Sequence, residues 1–250
     1  MKHLAFILLL VNGLNASAQL KFKESQLCLL YSNDICFRNI KANNEQTRIG
    51  AEYEFREKEQ SFGGYSIGLG YLLPFKNHFL LESGILFSKK GFQTQNLYFG
   101  SQVNPTIGYT GHNNFVFEYN YLDLPLKFNF QKKISNFKFK IGLGINNHIY
   151  LNSKTFDVEY RYENGENVLV QRNETKSFFE LTNDVKPYYI SIVGQLGVSY
   201  SIKKKLDIKL DLIKNQGMTE IKNSDIKTYL KSTCIQLSLY YPLFNNQNNE

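Results

Sequence analysis

Histidine and cysteine, the side chains most often recruited as base, nucleophile or metal ligand, are few in this 250-residue chain, and they are scattered. Past the first few residues the histidines are His78, His112 and His148. A zinc site takes ligands at short, repeated spacings. The histidines lie far apart and the cysteines form no CxxC pair, so no metal and no cofactor is expected. Cys28, Cys36 and Cys234 are odd in number, so at least one is unpaired or bonded to another chain. On one strand Cys28 and Cys36 would lie about 26 Å apart and could not bridge. A turn at Ser32-Asn33-Asp34 would instead set them face to face. For hydrolytic chemistry the nearest set is Asp157, Glu159, Glu163 and Glu166 with His148 and Ser153. A general base must sit within about 3 Å of its partner, and no spacing here fixes that, so no enzymatic activity is expected. His148, near Tyr150, reads as a hydrogen-bonded residue of a lumen or rim.

The ionic residues are more regular. In YNYLDLPLKFNF (119–130), Asp123, Pro125, Lys127 and Asn129 alternate with Leu122, Leu124, Leu126, Phe128 and Phe130. Glu82, Lys138, Lys140, Asp207, Lys209 and Asp211 fall at similar alternate positions elsewhere. With Asp123 and Lys127 they make a balanced set of acids and bases that could pair if their faces met in one enclosure.

Strands are the elements that would align them. Tyr65, Ile67 and Leu69 oppose Ser66, Gly68 and Gly70; Phe79, Leu81, Ile85 and Phe87 oppose Glu82, Gly84 and Ser88. Phe139, Ile141 and Leu143 oppose Lys140, Gly142 and Gly144; Ile192, Leu196 and Tyr200 oppose Ser191, Gln195 and Ser199. Leu206, Ile208, Leu210 and Leu212 oppose Asp207, Lys209 and Asp211, and Ile235, Leu237 and Leu239 oppose Cys234, Gln236 and Ser238. Period two marks strands with one apolar and one polar face but leaves open which face turns inward. A soluble sandwich or lipocalin-like carrier hides the apolar face, and an outer-membrane barrel shows it to lipid. In a barrel of about eight strands the interior is filled by side chains, charges of both signs can pair there, and glycines make room for them. Pro125 cannot donate to a ladder and predicts a local bulge.

The first residues read as an address. Lys2 and His3 precede an apolar run, Leu4 to Val11, and Ala16-Ser17-Ala18 fits a signal peptidase, with cleavage before Gln19. Residues 1–18 are thus expected to be a signal peptide, 19–244 the barrel domain and 245–250 a polar tail. No later apolar run reaches the length of a membrane-spanning helix. The net charge of +7 is interleaved rather than clustered, which speaks against nucleic acid as a partner.

Connections alternate in length. Short turns are expected at 75–78, 131–136 and 202–205, and long links at 92–114, 153–187 and 216–227, as periplasmic turns and extracellular loops would require. Strands are expected at 63–75, 77–91, 115–130, 137–152, 187–202, 206–215 and 228–244. An even count needs one more, 27–37, with 48–55 as its rival. The loop 156–180 reads as a β-hairpin turning at Asn164-Gly165. The fold class is all-β: a single antiparallel up-and-down transmembrane β-barrel of eight strands with long extracellular loops, in the outer membrane.

YLDLPLKF (121–128), GGYSIGLGYLLPF (63–75), VGQLGVSYSI (193–202) and IQLSLYYPLF (235–244) resemble strands of the small outer-membrane β-barrel family of Bacteroidota, which includes the PorT-like proteins. The likeness spans nearly all of the mature chain and carries no catalytic signature. Two features depart from it: Phe244 is followed by NNQNNE instead of ending the chain, and tryptophan is absent, so Tyr and Phe must form the interfacial girdle. The resemblance implies a structural or binding barrel in outer-membrane lipid, with a protein partner at its loops or in a secretion or assembly complex. A diffusion channel is the alternative.

Overall fold

The alternating segments become strands, and their hydrogen-bonding edges leave one arrangement suited to lipid, a closed ring without free edges. The computed structural model describes residues 25–42, 60–74, 78–94, 97–100, 109–163, 166–178, 185–202, 206–222 and 226–243. Its strands are β1 (Gln26–Ala42), β2 (Phe62–Pro74), β3 (Phe79–Gln93), β4 (Leu97–Gly100), β5 (Tyr109–Ile134), β6 (Phe137–Glu163), β7 (Glu166–Phe178), β8 (Tyr188–Ile202), β9 (Leu206–Gly217) and β10 (Ile226–Pro242). Strands β5, β3, β2, β1, β10, β9, β8 and β6 follow one another around an antiparallel ring, and β5 pairs with β6 to close it. The fold is the expected eight-stranded up-and-down barrel.

The eighth strand is β1, which joins the chain's two ends by pairing with β10 along its whole length, Gln26↔Pro242 to Ala42↔Ile226. The rival segment 48–55 lies outside the described residues. Ser32, Asn33 and Asp34 run through the middle of β1 rather than forming a turn. Cys28, Cys36 and Cys234 are therefore free, and all are buried inside the ring.

Two expectations are corrected. The turn at 131–136 shrinks to Ser135 and Asn136, because Gln131 to Ile134 pair on with Lys140 to Phe137. Ser135 takes φ 56°, the left-handed conformation such a tight hairpin turn demands. Pro125 carries no bulge. It pairs with Asn146 of β6 in register, and the irregularity falls instead between Asn120 and Tyr121. On the β3 side the ladder skips the residues opposite Leu124 and Pro125 but resumes at Leu86↔Asp123 in the same register. An N–H points to only one neighbouring strand, so proline removes rungs from one ladder and leaves the other whole.

Orientation follows the polar-inward alternative. Leu143 is 68 % exposed and Ile85 59 %, and Leu69, Ile141, Leu196, Leu212 and Ile235 are exposed beside them. Between them Ser66, Glu82, Asp123, Lys140, Gln195, Asp211 and Gln236 are buried. A continuous apolar belt on all sides is far beyond what a water-soluble monomer exposes, which excludes the soluble-carrier reading. Rings cluster outside the barrel's periplasmic end, with Phe79 5.3 Å from Phe128 and Phe137 5.3 Å from Tyr200, where an aromatic girdle is needed without tryptophan.

Above the ring, β5 and β6 run on together to Gly111↔Arg161. Strand β4 flanks β5, and β7 flanks β6 through to Glu163↔Glu166, on either side of the expected Asn164-Gly165 turn. The described parts of the links 92–114 and 153–187 are thus largely sheet.

Candidate functional site

The inward faces of the eight strands meet in stacked layers. At the periplasmic end Lys138 Nζ lies 2.5 Å from Asp207 Oδ2, a pair still reached by solvent. Above it Glu82 of β3 receives Lys127, Lys140 at 2.7 Å and Lys209 at 2.9 Å. Asp211 takes a second contact from Lys209 at 2.9 Å and from Lys140 at 3.4 Å. Lys209 also donates to the Tyr240 hydroxyl at 2.7 Å, and Gln195 donates to Asn129. Three lysines thus share two carboxylates at full burial, where a charge left without a partner is costly. Glycines open the space: a Cβ on Gly142 would collide with the Asn129 side chain, and one on Gly197 with Asp211. Leu30, Leu72, Leu80 and Leu86 with Cys28 and Tyr240 form an apolar cluster inside the ring beside Glu82.

The outer half is organised around Asp123. Lys90 Nζ donates to its Oδ2 at 2.6 Å, and Asn146 Nδ2 lies 3.3 Å from the same oxygen. His148 Nδ1 is 2.6 Å from Asp123 Oδ1, and its Nε2 is 2.9 Å from Ser191 Oγ. Asp34 of β1 accepts from Ser32 at 2.7 Å and Ser66 at 2.9 Å. Between the two halves a cavity of about 40 Å³ is lined by Asp34, Lys90, Asp123, Lys127, Asn146 and Gln236, among others. That is room for a few water molecules.

A tyrosine layer seals the outer mouth. Phe92, Tyr119, Tyr121, Tyr150, Tyr189, Ile221 and Leu230 form one buried cluster. Tyr121 meets Tyr189 edge-on at 5.1 Å, and Tyr189 stacks on the His148 ring at 4.0 Å. Arg38 lies over Phe92 at 4.3 Å. On the loops above, Lys186 donates to Glu220 at 3.0 Å and holds its carboxyl below the usual range.

All eight sequence-selected charges point into the barrel, but they divide into three groups: Lys138 with Asp207; Glu82 and Asp211 with Lys127, Lys140 and Lys209; and Asp123 by itself. Asp123 pairs with Lys90 and His148, which the charge set left out. Lys90 continues the alternation Glu82, Gly84, Leu86, Ser88, so extending that face by one step would have found it. Asp34 sits likewise on the even face of β1. Among the described side chains the hydrolytic set does not assemble. Ser153 bonds the Tyr150 hydroxyl at 2.9 Å, Glu159 pairs with Arg161, and His148 turns away from both to Ser191. His78 lies against Phe130 at the periplasmic rim and His112 against Tyr160 in the outer extension. Among the described residues no cluster of His, Cys, Asp or Glu could hold a metal ion.

Solved structures of similar shape include Neisserial surface protein A (10 % identity, TM-score 0.42, 88 % of this chain and 97 % of that one). Others are OprG from Pseudomonas aeruginosa (10 %, 0.37, 87 % and 96 %) and Ail, the attachment invasion locus protein of Yersinia pestis (12 %, 0.30, 86 % and 98 %). No curated protein matches the chain. Residues 37–223 match the outer membrane protein beta-barrel domain, so the chain belongs to that family and is a β-barrel protein of the outer membrane.

Proposed function

We propose that the protein is a plugged structural and binding barrel, an accessory of a secretion or assembly complex, whose extracellular sheet holds a protein partner. The observation that carries this reading is the filled interior. Ion pairs run from Lys138–Asp207 to Lys90–Asp123, and the tyrosine layer closes over them. A cavity of about 40 Å³ suits trapped water rather than passing solutes. Strands β4 to β7 meanwhile extend the wall beyond the ring into a four-stranded sheet. Such a sheet, standing on a rigid barrel, suits recognition of another protein better than a set of separate loops does.

Residues 1–18 direct export on this reading and are cut after Ala18, leaving Gln19 as the first residue. The strand around Asp123 and Pro125, with the glycine-rich β2, supports placement among the PorT-like barrels of Bacteroidota.

Crosslinking mass spectrometry on intact cells tests the binding role. Crosslinks from Lys154 or Lys176, in the extended hairpin, to one recurrent protein are the expected result. Their absence, together with steady single-channel conductance in planar bilayers, would replace this reading with a diffusion channel.

A further inference from the structure

We propose that Asp123, His148 and Ser191 form a nucleophilic triad for acyl esters, closed beneath the tyrosine layer in the conformation seen here. This goes beyond the binding role and does not rest on it. Ser191 and His148 come from the adjacent strands β8 and β6, and Asp123 is the direct cross-strand partner of His148 on β5. Two groups approach His148 Nδ1, the Asp123 carboxylate at 2.6 Å and the Lys90 ammonium at 3.2 Å. The shorter contact, to an oxygen that can only accept, assigns the proton to Nδ1, and Lys90 has its closer acceptor in Asp123 Oδ2 at 2.6 Å. Nε2 is then the acceptor, 2.9 Å from Ser191 Oγ, so the hydroxyl donates to it. That is the tautomer and direction a general base needs, with Asp123 as the positioning residue. Ser191 is 1 % exposed and His148 0 %, so bulk water does not compete for these bonds.

A second observation points to a reaction partner beside the triad. The cavity is lined by Pro125, Asn146 and Val193, each two residues along its strand from Asp123, His148 and Ser191. Asn146 Oδ1 is buried there without a hydrogen-bond partner; in the tyrosine layer above, the Tyr121 hydroxyl is also buried without one, and its ring stands edge-on to the imidazole at 6.0 Å. Water in the cavity would satisfy the first and supply the hydrolytic molecule. The lid is Tyr189, whose ring stacks on the imidazole at an interplanar angle of 13°. It is the second residue of β8, so its displacement disturbs a strand end and not a mid-strand ladder.

The chemistry balances with an ester and water alone. The Ser191 hydroxyl proton passes to His148 Nε2 as Oγ bonds to the ester carbonyl carbon. The adduct collapses, its C–O bond breaks, and the departing alcohol takes that proton. Water, deprotonated by the same nitrogen, then attacks the acyl carbon; the acyl–Oγ bond breaks, the proton returns to Ser191, and a carboxylic acid leaves.

The test uses the full chain folded in detergent micelles, with the folded fraction read from gel mobility before and after heating. A small fluorophosphonate is added and the adduct located by peptide mass mapping. Expected is a single adduct on Ser191, forming at least about tenfold faster in Tyr189→Ala, absent in Ser191→Ala, and slower by about 10³-fold in His148→Gln or Asp123→Asn. Hydrolysis of 4-nitrophenyl acetate should follow the same order. A folded wild type and a folded Tyr189→Ala that both leave Ser191 unlabelled would overturn the proposal. So would labelling of Ser191 at an unchanged rate in whichever of His148→Gln and Asp123→Asn folds.

Discussion

Glu82→Gln is the sharpest perturbation of the interior. Its carboxylate is 1 % exposed and receives Lys127, Lys140 and Lys209. Lys140 and Lys209 keep Asp211 when Glu82 is neutralised, but Lys127 is given no other acid among the described residues. Removing one partner of a buried pair costs about 3–5 kcal/mol, because the remaining charge stays buried without compensation. That is about two to four powers of ten in the folding equilibrium. The chain has no tryptophan, so the assay should follow the folded and unfolded gel bands across a urea series in lipid vesicles. Glu82→Gln with Lys127→Met removes both charges and should recover at least about 1 kcal/mol of the loss, since well-packed neutral groups replace such pairs at little cost. A single-mutant loss below about 1 kcal/mol, or strictly additive losses in the pair, would refute the view that these charges are sealed from water.

Other outcomes follow from the same packing. Lys138→Met should cost less than about 1 kcal/mol in the same titration, because its pair with Asp207 is partly open to solvent. Leu143→Arg on the lipid face should cost about 2–4 kcal/mol, with the folded band lost at lower urea. Gly197→Val should shift folding more than Gly194→Val, because a Cβ at Gly197 strikes Asp211 while at Gly194 it meets only Leu143 in ordinary contact. Near the rim, the Lys186 hydrogen bond lowers the Glu220 carboxyl. The contribution is therefore complete above the ordinary glutamate range and is lost as pH falls through the lowered value. Lys186→Met should move the Glu220 titration upward, toward the ordinary value, in carboxyl-resolved NMR.

The strand set was legible because period two is written almost without interruption along Phe137 to Ile145 and Leu206 to Leu212. Length was less legible. Residues 156–163 alternate too and read as one arm of a hairpin, which β6 and β7 form; what alternation left open is that β6 runs unbroken from the ring into that arm. The inward charges could be collected from alternation, yet their partners could not. Which lysine reaches Glu82 depends on register across β5, β6 and β9, and no single segment encodes it. The same holds for His148 and Ser191, remote in sequence and brought together by the pairing Asn147↔Ile190. Pro125 misled because a missing N–H was taken to require a bulge, whereas the strand keeps its register past it.

The central claim is the direction of the two faces, and spin labels along β6 test it most directly. With Cys28, Cys36 and Cys234 replaced by serine, nitroxides placed singly at positions 137 to 145 in lipid vesicles report collisions with oxygen and with a water-soluble nickel chelate. The account predicts high oxygen accessibility at 139, 141, 143 and 145 and low accessibility to both reagents at 140, 142 and 144. Oxygen accessibility that peaks at the even positions, or that shows no alternation, would contradict it.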